Sequence, residues 1–185
     1  MTGDWNRVKW TEAGQVTAVL GWPQGPADPA PRQAPRQYFE ALTAAGRGED
    51  AVEFLAQALP RWEAVAWAAR SVRDIGGMDA EADAAALKAA LLWVQDPSES
   101  RRRAASDAAE AAEPDSPARM AALAAFYSGG SIAPPDGEML PAPRDAAGRL
   151  AAGAILLAAA RSEDMEQALA ASLRTGAAIA AGEAA

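Results

Sequence analysis

The sequence predicts an all-α fold, a compact multi-helix bundle of successive helical hairpins with a Pro-rich N-terminal arm. Three observations carry that expectation. Alanine fills more than a quarter of the 185 positions, in blocks where larger apolar residues recur every three or four residues. The prolines gather between those blocks and mark connections. No segment holds the alternating pattern of a paired strand, because Trp5 to Trp10 is the sole extended stretch and has no partner of similar character.

The length suits one domain with its own core. Half of the residues are apolar, but many are alanines that bury little area. The core must therefore rest on helices approaching closely rather than on bulky side chains. The division expected is residues 1–37 as an N-terminal arm, with one short helix and a Pro-rich linker, and residues 38–185 as the helical domain.

Within the arm, Thr11 and Glu12 precede Val16, Val19 and Leu20, the outline of a short capped helix. Residues 21–37 hold five prolines and read as an extended linker. Trp5, Trp10 and Trp22 flank it, so the arm is expected to lie on the body rather than hang free.

Tyr38, Phe39 and Leu42 mark the face of a helix ending near Gly46 and Gly48, and Val52, Leu55 and Leu59 mark the next. Pro60 opens a helix in which Trp62, Val65, Ala69 and Val72 share a side, and Gly76 and Gly77 stop it. Asp79 is placed to cap a helix with Leu87, Leu91 and Val94 inward. Ser98 to Glu113 has no apolar residue larger than alanine, so an exposed and partly frayed helix is expected, with Glu99–Arg103 and Arg103–Asp107 paired at (i, i+4).

Asp115 or Ser116 caps a helix whose face is Met120, Leu123 and Tyr127, and a Pro/Gly-rich loop follows to Arg144. The helix from Asp145 is apolar around Leu150, Ile155, Leu156 and Leu157, with Gly148 and Gly153 permitting close contact. It is the expected central buried helix. Ser162 is expected to cap the last one, whose seam is Met165, Leu169, Ser172, Gly176 and Ile179.

Charge and chemistry narrow the function. A net charge of −8 opposes nucleic-acid backbone and anionic lipid, so neither nucleic acid nor a membrane is expected as a partner. The most apolar run, residues 150–160, is too short to span a bilayer. The first ten residues lack a charged-then-apolar leader pattern, and the chain reads as cytoplasmic. With neither histidine nor cysteine, thiol, imidazole and zinc-thiolate chemistry are excluded, and a general base would have to be Asp, Glu, Lys or Tyr. No nucleophile elbow is present. No catalytic residue, cofactor or metal is assigned.

Two clusters remain as candidate partner or ligand surfaces. Arg61, Glu63, Trp67 and Arg70 lie on one helix, and Trp and Arg are the residues that dominate interface energy. The alternative reading of that helix is one packed on two sides, with Arg70 and Asp74 as an (i, i+4) pair. The second cluster is Tyr127, Ser128, Gly129, Gly130 and Ser131. A phosphate cradle needs glycines before a helix N-terminus, whereas these follow a helix C-terminus, so a glycine cap leading into a turn is the simpler reading.

The carboxylates Asp79, Glu81, Asp83, Asp107, Glu110 and Glu113 match no calcium loop and suit helix surfaces. Arg101, Arg102 and Arg103 read as a solvated helix face.

Two stretches also carry a resemblance. Residues 59–68, LPRWEAVAWA, and residues 126–135, FYSGGSIAPP, resemble the LPRREAVWWA and FWSGGSLAPP signatures of an uncharacterised bacterial protein family, a domain of unknown function. Residues 48–59 fit that family's lead-in to the first signature. The chain differs in Trp62, Ala66 and Tyr127, where the family carries a basic residue, Trp and Trp. The resemblance implies a helical domain over nearly the whole length and no activity. The expectation is thus a non-enzymatic interaction or scaffold protein that meets a protein partner or itself. The alternative is a small-ligand or anion-binding domain using residues 127–131.

Overall fold

The computed structural model describes residues 5–23, 32–76 and 80–183, and among them the fold is all-α. Nine helices form: α1 (Ala13–Leu20), α2 (Pro35–Ala44), α3 (Gly48–Ala58), α4 (Arg61–Ile75), α5 (Glu81–Gln95), α6 (Glu99–Ala111), α7 (Pro117–Phe126), α8 (Ala146–Arg161) and α9 (Met165–Ala181). From α4 onward each helix packs on the next, and α8 touches α3, α4, α7 and α9. It is a central helix of the bundle, although Leu150, Leu156 and Leu157 are only half-buried on it. Ala151, Ala154 and Ile155 are fully buried on it.

Close approach replaces bulk throughout this core. A Cβ at Gly148 would lie 2.5 Å from the Gln57 side chain and 3.1 Å from the Ala56 carbonyl oxygen, so α3 and α8 meet at backbone distance. A Cβ at Gly176 would lie 2.6 Å from the Trp67 ring and 2.8 Å from Leu55. Gly153 does not serve this way, since its nearest neighbour is the Met120 sulfur at 4.0 Å.

The helix ends explain several departures from expectation. The side-chain oxygen of Gln15, rather than of Thr11, accepts from the Thr11 and Glu12 amides at the start of α1. Pro35 is the first residue of α2 rather than part of the linker, where its fixed φ and missing N–H cost nothing. Asp164, not Ser162, caps α9 by accepting from the Gln167 amide at 2.9 Å. Gly77 and Asp79 fall outside the described residues, and Gly76 ends α4 at φ 79°. Residues 24–31 of the Pro-rich linker also fall outside them.

The described parts of the arm lie on the body. Trp5 packs against Phe39 with the rings tilted and their centroids 5.1 Å apart. The Arg7 amide donates to the Ala180 carbonyl at 3.0 Å, and Asn6 donates to that of Ala181. Ala13 and Val16 of α1 are fully buried in the common core.

Three helices pack differently from expectation. In α5 the buried line is Ala86, Leu87, Ala90 and Trp93, with Leu91 and Val94 at its margin. In α7 the alanines 118, 121, 122 and 125 are buried, and Met120 and Leu123 sit beside them half-buried. Helix α6 is neither frayed nor simply exposed. Ala105 and Ala109 are fully buried between α5 and α7. Two alanine faces let backbones approach closely, and dispersion over the whole interface then favours burying Ala over a larger side chain.

Candidate functional site

The N-terminus of α6, the C-terminus of α7 and the loop that follows converge. Ser98 caps α6 by accepting from the Arg101 amide, which places Arg102 and Arg103 in the first two turns. The alanine face of α6 seats it so close to α7 that the Arg102 guanidinium reaches the Phe126 carbonyl at the end of α7. A cation at a helix C-terminus also meets the negative end of the macrodipole.

Arg102 is only 4% exposed and Arg103 is half-buried, which overturns the expectation of a solvated face for those two, while Arg101 is exposed as expected. Its Nη2 donates to the Ser131 carbonyl at 2.7 Å, and Arg103 donates to the carbonyls of Ser131 and Ala133 at 2.9 and 2.7 Å. Both guanidiniums lie over the Phe126 ring, at 4.7 and 5.7 Å. Glu99 completes the cluster. Its two oxygens accept from Arg102 at 2.6 and 2.7 Å and from Arg103 at 2.9 Å. The Arg102 hydrogen bonds, ahead of those from Arg103, bring its carboxyl down from 4.5 to about 2.

The glycine-serine segment is shaped to this clamp. Gly130 has φ 65°, and a Cβ there would stand 3.1 Å from the Arg102 guanidinium. The Ser131 hydroxyl oxygen accepts from the amides of Ala133 and Leu140 at 3.2 and 3.1 Å, and the Ile132 amide donates to the Leu140 carbonyl at 2.8 Å. These bonds tie the base of residues 131–141, closed by a bridge between Ser131 and Pro141. Beyond the tie, Met139 is 80% exposed and Leu140 54%. Pro134, Pro135, Asp136 and Glu138 are exposed beside them.

The two clusters singled out in the sequence meet at one point, where exposed Arg61 donates to the Ser128 carbonyl at 3.1 Å. The rest of the α4 group is not a surface. Trp67 is fully buried, and its indole N–H donates to the Ser172 carbonyl of α9 at 2.8 Å. Gly176 opens the slot that admits the ring, so a Trp that reads as an interface anchor is a core residue. Glu63 is buried too, 3.9 Å from Arg7. Arg70 is half-buried, and Asp74 pairs with Arg73 at 2.8 Å rather than with Arg70.

Tyr127 packs edge-on to Phe126 at 5.2 Å, the Ser128 hydroxyl donates to the Ala125 carbonyl, and Gly129 is half-buried. The positive charge that an anion at residues 127–131 would need is already engaged by loop carbonyls and by Glu99.

The acids set aside earlier have structural places. Asp83 is buried and accepts from the Glu113 amide, joining α5 to the end of α6. Among the described residues no group of three or more Asp or Glu is arranged to hold a metal ion, and no helix is long and apolar enough to cross a membrane.

The model of one sequence family, a family of unknown function designated DUF6931, matches residues 38–180. The chain belongs to that family. No curated protein and no solved structure matches it. The matched span runs from α2 into α9 and takes in the arginine cluster and the loop, whereas α1 and the segment before it lie outside.

Proposed function

We propose that this DUF6931 chain is a non-enzymatic, cytoplasmic interaction or scaffold protein that meets a protein partner, or a second copy of itself, through residues 131–141. The supporting observation is a loop with Met139 and Leu140 turned to solvent while Arg102, Arg103 and the Ser131 hydroxyl fix its base. Loops that expose large apolar side chains are normally loose. A braced one forfeits less conformational entropy on binding, which is the advantage of a preorganised docking element. Methionine adapts its shape to the surface it meets and is enriched at interfaces. The acidic net charge points to protein rather than nucleic acid as the partner.

The experiment compares wild type with a Met139→Glu, Leu140→Glu variant whose circular dichroism is unchanged. Co-purification from the native host and light scattering of the pure protein are read together. The expected result is a protein retained by wild type and lost from the variant, or a wild-type dimer that becomes monomeric. An identical set of retained proteins and an identical mass for both would refute the proposal.

A further inference from the structure

The loop of residues 131–141 stands beside a basic groove. That groove, of about 340 Å³, lies between the segment before α1, the α3–α4 junction and the residues leading into α8. Trp10, Val19 and Leu59 give it apolar walls, and Lys9, Arg61 and Arg144 give it charge. No Asp or Glu is among the described residues that line it. Glu63, two residues beyond Arg61, is buried and lies 3.9 Å from Arg7 instead. Arg144 is exposed, and its guanidinium makes no hydrogen bond or ion pair with a described residue. Lys9 donates only to the Asn6 carbonyl, at 3.4 Å, and Arg61 only to that of Ser128. All three cations are thus without a carboxylate partner. Pro60 opens α4 with no capping side chain, and the positive end of that helix dipole adds to their field.

The loop carries the complementary chemistry. Residues 134–140 run Pro-Pro-Asp-Gly-Glu-Met-Leu, two acids beside two large apolar side chains, with no Lys or Arg. Asp136 and Glu138 are exposed and pair with no cation among the described residues. Loop and groove also share one side of the molecule. Arg61 holds the Ser128 carbonyl, three residues before the tie at Ser131. Arg144 follows Pro141, at the other stem, by three residues, at most about 11 Å of chain. Within one chain the loop does not cover the groove, since Met139 is 80% exposed and neither acid is bonded to Lys9, Arg61 or Arg144.

We propose that the groove receives the loop of a second copy of this chain. Two chains then pair about a two-fold axis, each loop in the other's groove. Asp136 and Glu138 meet Lys9, Arg61 and Arg144, and Met139 and Leu140 cover Trp10 and Val19. Because loop and groove adjoin, one axis serves both contacts and closes the assembly at two chains. Two chains of net charge −8 repel at long range, but salt screens that repulsion beyond about 8 Å at physiological ionic strength. The local match of charge then decides the pairing. This inference rests on the loop being the interaction element and adds the surface that receives it.

The test is sedimentation of the full chain over a concentration series, with two charge reversals. One variant carries Asp136→Arg and Glu138→Arg in the loop, and the other Lys9→Glu and Arg144→Glu in the groove. All four residues are exposed, so circular dichroism should match wild type. The expected result is a two-chain species for wild type and a dissociation constant raised about a hundredfold in each variant, where like charges face each other at both contacts. Mixed in equal amounts, the two variants should pair again, because each reversed loop then meets a reversed groove and each native loop a native one. A wild-type mass other than that of two chains, a dimer that either reversal leaves unweakened, or a mixture that stays monomeric would overturn the proposal. A monomeric wild type that still retains a host protein through Met139 and Leu140 would sink this inference and leave the loop as an interaction element. A monomer that retains nothing through them would sink both.

Discussion

Two glycines inside helices should respond in opposite directions to the same substitution. In Gly176→Ala the new methyl would stand 2.6 and 2.7 Å from two carbons of the Trp67 ring and 2.8 Å from Leu55. The ring cannot withdraw easily, because its N–H is held by the Ser172 carbonyl at 2.8 Å. Overpacking of this kind costs about 1–3 kcal/mol, and the better helix propensity of alanine returns about 1 kcal/mol. With three contacts below 3.0 Å the cost falls in the upper part of that range, about 2–3 kcal/mol, so the expected net loss is about 1–2 kcal/mol, which lowers Tm by roughly 2–8 °C for a chain of this size.

Gly153→Ala meets only the Met120 sulfur, at 4.0 Å. Nothing there offsets the propensity gain, so that variant should be stabilised by about 0.5–1 kcal/mol. Urea unfolding followed by far-ultraviolet circular dichroism measures both, with the midpoint compared at constant slope. A Gly176→Ala protein as stable as wild type, or two changes of the same sign, would refute the claim that α9 seats on Trp67 at backbone distance.

Arg102→Met should cost about 2–4 kcal/mol, because it leaves the buried Phe126 carbonyl without its arginine donor and the Ser131 carbonyl and Glu99 carboxylate with Arg103 alone. Hydrogen exchange at Ile132 and Leu140 should quicken in that variant, and unchanged exchange would mean the loop does not depend on the clamp. Glu99 titrates lower in the folded chain than its ordinary value of 4.5, at about 2, so its contribution is present above about pH 4.5 and is lost as pH falls through 2. With its side chain 59% exposed, solvent screening holds that contribution to about 1 kcal/mol. Glu99→Gln should flatten the corresponding part of the stability–pH curve between pH 4.5 and 2 in urea titrations. Trp67→Phe, which removes the donor to the Ser172 carbonyl and leaves a gap against Gly176, should cost about 2–3 kcal/mol by the same unfolding assay.

Helix boundaries are written plainly in this chain where proline or glycine sets them. Pro60 and Gly76 bracket α4, and Ser116 with Pro117 opens α7. The seam of α9 is legible in part: Ser172, Gly176 and Ile179 are buried, together with Ala180, whereas Leu169 is half-buried and Met165 at the start of the helix is exposed. Orientation is harder to read wherever alanine surrounds the helix, because every direction then carries the same small side chain. That is why α5 turns Trp93 inward and α7 leaves Met120 and Leu123 at the margin.

The arginine clamp is hidden for another reason. The acceptors of Arg102 and Arg103 are backbone carbonyls 24 to 30 residues away, and a carbonyl has no side-chain identity for a spacing argument to find. Only Glu99, at three and four residues from its partners, leaves a trace in the sequence. The burial of Trp67 escapes for the same reason, as the residue that makes room for it is a glycine on the last helix.

That arrangement also sets an order of events during biosynthesis. The indole of Trp67 and the Ser172 carbonyl that receives its proton donor are 105 residues apart in the chain. At ordinary elongation rates the ring waits about 5–20 s before the residues that cover it have been polymerised. Throughout that interval the nascent chain shows its largest buried side chain to its surroundings. Anything that binds uncovered aromatic surface, including the chaperones that meet emerging chains, has its opportunity before α9 exists.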